Sequence, residues 1–209
     1  RNEIFRFTGD ILNAIKINDK YFDAHFNLAV LLSENKYYDE AIETLNYLID
    51  ENFEDNEPYF LIGFYYQQKN NFNMALHFYN TALNKNYVKP ELYFNMINIF
   101  CDLEQFDNAK EFIEDGLKLF PNNEDILISQ AYYYEKIKDY DNNKLILLSL
   151  INKGCNNYLP YFRIANYYKS IWQLNDAEEY YKKALILSPN NIDILLNFGV
   201  LNHVMGKFE

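Results

Sequence analysis

The sequence is short of the residues that punctuate a chain. Six glycines and five prolines are spread over 209 residues. A β-rich fold with many tight turns needs more of both, so the scarcity favours helices. Two cysteines, Cys101 and Cys155, cannot build a disulfide framework, and no Asn-x-Ser/Thr glycosylation acceptor occurs; together these point to a reducing, cytoplasmic setting. Apolar runs are brief: stretches such as Leu145–Leu148 fall far below the roughly 20 residues that a membrane-spanning helix requires. The opening Arg1-Asn2-Glu3-Ile4-Phe5 lacks the pattern of a signal peptide. Cations are scarce too. Nineteen Lys and Arg face thirty Asp and Glu, for a net charge of −11. That excludes the basic footprint needed for nucleic acid or an anionic membrane, and leaves a weakly basic partner or plain solubility as its meaning.

Aromatic rings are abundant instead. Twenty Tyr and seventeen Phe accompany a single Trp, and 49% of the chain is hydrophobic, so a core can be built largely from rings. Asparagine is frequent alongside Lys, Ile, Tyr and Phe. This compositional bias lowers the weight of any single Asn.

A period organises these residues. Stepping by 34 from Phe22 gives Asn56, Pro90, Glu124, Tyr158 and Ile192, with no insertion or deletion. Position 7 of each repeat is Leu28, Ile62, Met96, Gln130, Ile164 and Phe198; position 8 is Ala29, Gly63, Ile97, Ala131, Ala165 and Gly199. Position 20 is Ala41, Ala75, Ala109, Asn143 and Ala177, and position 24 is Leu45, Tyr79, Ile113, Leu147 and Tyr181. Positions 4, 7, 8 and 11 share one face of a first helix; positions 20, 24 and 27 share one face of a second. Small residues at 8 and 20 let the two backbones approach, and large neighbours fill the gap.

This pattern resembles the tetratricopeptide repeat, whose period is 34 residues. The resemblance implies an all-α fold, a right-handed α-solenoid of stacked antiparallel helix pairs. Residues 1–209 are then a single array. Residues 1–21 hold the second helix of a truncated repeat, complete repeats span 22–55, 56–89, 90–123, 124–157 and 158–191, and 192–209 begin another. With both ends open, the segment is expected to belong to a longer array or to stack on a second copy. The repeat at 124–157, with polar Gln130 and Asn143 in its seam, is expected to be the loosest joint, its amides bonded to each other or to backbone. Trp172 sits in a turn where the family prefers glycine; it is expected to be partly exposed, either packed locally against Leu174 or making a lateral partner contact.

In the family the first helices line an inner groove through positions 2, 5, 6, 9, 12 and 13. Here these give the candidate peptide-binding residues Phe26, Asn27, Phe60, Phe64, Phe94, Asn95, Asn98, Tyr132, Phe162, Arg163 and Asn166. Position 5 (Phe26, Phe60, Phe94, Ile128, Phe162, Leu196) reads as a half-buried apolar stripe, and position 2 is acidic in every repeat except at Leu159. The carboxylate clamp of the chaperone-cofactor branch is not reproduced, because neither position 5 nor position 2 is ever Lys; only Arg163 with Asn166 hints at it.

Catalysis has little footing. His25, His77 and His203 fall on different faces, and no phosphate loop, nucleophile elbow or metal motif occurs, so neither cofactor nor metal is expected. The reading is a scaffold that grips a protein or peptide segment, one with basic residues given the acidic rim. The alternatives are a substrate-recruiting region of a larger enzyme, such as a glycosyltransferase, and self-assembly into a homo-oligomer through the repeat ends.

Overall fold

Each repeat writes its reversal into the backbone. The computed structural model describes residues 11, 13–18, 22–51 and 54–207. Lys36, Asn70, Glu104, Lys138, Trp172 and Gly206, spaced by 34 residues, all adopt left-handed φ values between 57° and 72°. The residue after each donates its backbone N–H five residues back, as in Tyr37 to Leu32 at 2.9 Å and Asp139 to Tyr134 at 2.8 Å. This is the Schellman closure that ends a helix and turns the chain sharply.

All regular structure among the described residues is helical. Six first helices, α1 (Phe22–Glu34), α3 (Glu57–Gln68), α5 (Pro90–Asp102), α7 (Glu124–Lys136), α9 (Tyr158–Ser170) and α11 (Ile192–Val204), carry odd numbers. The second helices are α2 (Tyr38–Asp50), α4 (Phe72–Asn84), α6 (Phe106–Leu119), α8 (Tyr140–Asn152) and α10 (Leu174–Leu187). Residues 13–17 are helical as well. The rest of the lone second helix expected over 1–21 lies largely outside the described residues, as does Phe208.

Second helices end in two ways. After α4 and α8 the chain leaves through Asn86 (φ 65°) and Gly154 (φ 81°). Helices α6 and α10 run one residue longer and stop just before Pro121 and Pro189, which cannot supply an N–H. Three first helices, α7, α9 and α11, begin on a side-chain cap: Asn123, Asn157 and Asn191 accept from the N–H of Ile126, Leu159 and Ile194 at 3.0–3.1 Å. Each such cap stabilises its helix by about 1 kcal/mol.

The seam between paired helices is the core. Ala41, Ala75, Ala109 and Ala177 are fully buried, as are Leu45, Tyr79, Leu147 and Tyr181 one turn along. At Gly63 a Cβ would lie 2.7 Å from the Tyr79 ring, so this ring as placed here leaves no room for a side chain at position 8, whereas Tyr181 coexists with Ala165. Where alanine is missing, Asn143 takes its place and donates Nδ2 to the Ala131 carbonyl at 2.7 Å. The expected backbone bond of this polar seam is therefore made.

The chain packs as two bodies, residues 1–99 and 100–209, parting inside α5. In the N-terminal body α1 pairs with α2, α2 with α3 and α3 with α4 around Ala29, Leu45, Leu48, Ile62 and Tyr65. In the C-terminal body α6 packs on α7, each helix from α7 to α11 packs on the next, and α9 also meets α11. Its core centres on Ala131, Leu147 and Ile164 and on Ala165, Ala177, Tyr181 and Leu201.

Candidate functional site

In the N-terminal body the odd helices bring Phe26, Phe60, Phe64 and Phe94 to partial burial. The Phe60 ring stacks on Tyr87 at 5.2 Å and leans on Tyr79 at 5.6 Å. Phe26 and Phe64 rest on the core cluster and stay partly exposed. Asp23 and Glu91 are exposed beside them, with Glu57 half-buried. Asn27 is exposed and Asn98 half-buried. Asn95 corrects the sequence reading: it is only 7% exposed and serves the Tyr79 hydroxyl, because position 6 here is covered by the packing around that ring. Tyr79 also donates to Gln67 Oε1 at 2.7 Å, and burial raises its ionisation far above the usual phenol range.

The C-terminal body differs. Its position 5 stripe breaks at Ile128, 1% exposed, and the neighbouring Ser129 is fully buried. Neither reaches the surface that the repeat register assigned to them. Ser129 Oγ is the one buried side-chain oxygen without a partner among the described residues. Phe162 lies half-buried against Tyr181 at 6.1 Å.

Charge and aromatic groups interlock on this body. Tyr132 donates to Asp102, and Lys136 pairs with the same carboxylate at 3.2 Å while lying 5.0 Å from the Tyr132 ring. Arg163 pairs with Glu135 at 2.7 Å and lies 4.4 Å from that ring. Burial, followed by the hydrogen bond to Asp102, pushes the Tyr132 phenol up. Asn166 accepts from the buried Tyr181 hydroxyl. Lys169 donates to Asn197 at 2.7 Å, and desolvation lowers its pKa.

Reactive groups are held quiet. Burial raises the Cys101 thiol to about 12. Burial and its bond to Glu124 at 3.1 Å raise Cys155 to about 11. Both thiols are free and protonated at neutral pH. Among the described residues no cluster of His, Cys, Asp or Glu could hold a metal ion, and no helix is long and apolar enough to cross a membrane. Trp172, expected to be partly exposed, is 74% exposed on a left-handed backbone (φ 62°), so any packing on Leu174 covers little of it.

Sequence reading missed the capping role of Asn123, Asn157 and Asn191. A signal was present: all three occupy the last position of a repeat, directly before a first helix. It was masked by the general abundance of Asn.

The sequence profile of the tetratricopeptide repeat matches residues 22–54, 57–84 and 160–191. The unmatched stretch between the second and third matches contains Ile97, Gln130 and Asn143, three departures from the repeat pattern. No curated protein matches the chain in sequence. In fold it is similar to a thermophilic tetratricopeptide-repeat protein of Thermus thermophilus, with a TM-score of 0.72 at 17% identity, covering 86% of this chain and 98% of that one. It is also similar to YrrB, a tetratricopeptide-repeat protein with an unusual peptide-binding site (TM-score 0.59, 16% identity, 90% and 96% covered). A third similar structure is PilW, a widely conserved type IV pilus biogenesis factor (TM-score 0.71, 16% identity, 90% and 88% covered). At these identities the likeness concerns the fold alone.

Proposed function

The chain belongs to the tetratricopeptide-repeat family, and from that premise we propose that it is a non-catalytic scaffold holding a peptide or protein segment on its first helices. The fold is that of protein-interaction scaffolds in general. The observation that carries the finer reading is the row of half-buried rings Phe26, Phe60 and Phe64 beside Asp23 and Glu57 on α1 and α3. Rings left partly in water are what an apolar side chain can cover, and acidic neighbours favour a segment that also carries Lys or Arg. The occupant is thus a basic, amphipathic peptide segment. Two buried, protonated thiols fit a reducing, cytoplasmic setting.

The test is a fluorescence-polarisation titration with a labelled peptide of alternating Leu and Lys, against a Leu/Glu peptide of equal length. Binding of the Lys peptide alone, weakening as salt rises, is the expected outcome. The double variant Phe26→Glu with Phe64→Glu, its helicity checked by circular dichroism, should bind at least about tenfold more weakly, a loss of ~1.4 kcal/mol. Equal binding of the acidic peptide, or unchanged binding by a folded double variant, would refute the reading.

A further inference from the structure

A cavity of about 400 Å³ opens in the C-terminal body where the ends of α7 and α9 meet the start of α8. Glu135, Tyr140, Asn143, Arg163, Asn166 and Tyr167 line it. Its charges are closed on each other, since Arg163 pairs with Glu135 at 2.7 Å. Its amides are open. Asn143 spends Nδ2 on the Ala131 carbonyl, and its Oδ1 receives no donor among the described residues. Asn166 spends Oδ1 on the Tyr181 hydroxyl, and its Nδ2 hydrogens meet no acceptor among the described residues. The cavity therefore presents the Asn143 oxygen and the Asn166 NH2 beside the phenols of Tyr140 and Tyr167, with Ser170 and Ile171 completing its wall. Asn143 is only 4% exposed, in the seam where four other repeats have alanine. Its Oδ1 is not a buried orphan, since Ser129 Oγ alone is that among the described residues, so this oxygen is open to the cavity and to whatever enters it.

We propose that this cavity is a binding site for an uncharged carboxamide, the side chain of a glutamine or asparagine in a bound segment. Its NH2 donates to Asn143 Oδ1, and its carbonyl accepts from Asn166 Nδ2. The site deepens the peptide-binding reading and rests on it for the source of the amide. Competing ligands fit worse. A carboxylate meets Glu135 beside Arg163, and an ammonium meets Arg163 beside Glu135, so each gains from one charge and is opposed by the other. An aliphatic group shuts both open amide ends away from water. Tyr181 acts as a positioning residue, because its hydroxyl fixes which end of Asn166 faces the cavity.

The experiment uses the full chain with 15N-labelled side-chain amides. N-acetylglutamine methylamide is titrated in, with the corresponding glutamate, lysine and norleucine derivatives as comparators. The glutamine derivative should shift the Asn143 and Asn166 amide signals saturably and bind at least about fivefold tighter than the others. Asn143→Ala installs the residue of the sister repeats, so its thermal melt should not fall while binding weakens by about fivefold or more. Tyr181→Phe should weaken binding with the Asn166 signals broadened or displaced. Equal response to the glutamate or norleucine derivative, or unchanged binding by folded Asn143→Ala, overturns the proposal. The basic-peptide titration reads the N-terminal body separately. If it fails while the glutamine derivative binds, the N-terminal reading falls and the cavity stands.

Discussion

At the second, fifth, sixth, ninth, twelfth and thirteenth positions of its first helices, the N-terminal body carries no lysine or arginine; the C-terminal body carries Lys136, Arg163 and Lys169 there. In the first, Asp23, Glu57 and Glu91 have no cation beside them at those positions. In the second, Lys136 and Arg163 are matched by Asp102 and Glu135, and Lys169 is turned to Asn197. On the proposed reading, one helical hairpin serves two kinds of recognition. An unbalanced charge acts over about 8 Å in physiological salt and draws a partner in. A balanced face is silent at that range and discriminates only through contact hydrogen bonds.

The comparison can be broken at its cores. Tyr79 and Tyr181 occupy the same repeat position, both fully buried. Tyr79→Ala should cost about 3–5 kcal/mol in chemical denaturation, and Tyr181→Ala a similar amount. Equal effects would show that the bodies differ in their faces and not in their seams. Gly63→Ala is expected to cost about 1–3 kcal/mol, because the new methyl meets the Tyr79 ring. The double variant Gly63→Ala with Tyr79→Leu copies the Ala29 and Leu45 pair of the preceding repeat and should recover most of that loss. Failure to recover would mean that the ring is not what excludes a side chain there.

Smaller effects sharpen the contrast. Asn157→Ala should cost about 1 kcal/mol and loosen the first turn of α9 in hydrogen exchange. Ser129→Ala should raise stability by about 1 kcal/mol, since it removes a buried hydroxyl with no partner. A fall in stability would mean that the oxygen is satisfied by water. Alkaline pH should weaken both bodies. Tyr65, Tyr79 and Tyr87 in one, and Tyr132 and Tyr181 in the other, have phenols raised chiefly by burial. The folded chain holds these protons longer than the unfolded one. Their contribution is therefore complete below the ordinary phenol value of about 10 and is lost as pH rises above it. Thermal melts between neutral pH and strong alkali should show the midpoint dropping from there; a flat profile would contradict the burial.

Much of this architecture was legible in the sequence. The buried alanines at 41, 75, 109 and 177 recur every 34 residues, and backbone contact at a seam needs a small residue whatever surrounds it. The candidate faces were less legible. Register alone assigned Asn95, Ile128 and Ser129 to the surface, yet all three are buried. How deeply a helix face is covered depends on the sizes of residues from neighbouring helices, which a single-helix periodicity does not encode. The polar seam at Asn143 was visible as a departure from pattern. That its free amide end would line a cavity beside Asn166 depended on Tyr181, contributed by a different repeat.

The exposed indole of Trp172 has a practical side. It is the chain's single tryptophan, and its ring already lies largely in water in the folded state. Its emission would change little as the helices melt, so a fluorescence trace could stay almost flat while circular dichroism recorded full unfolding. The same hydrated ring, at a turn remote in sequence from the aromatic rows of α1 and α3, is a natural reporter for anything that settles over that corner of α9 and α10.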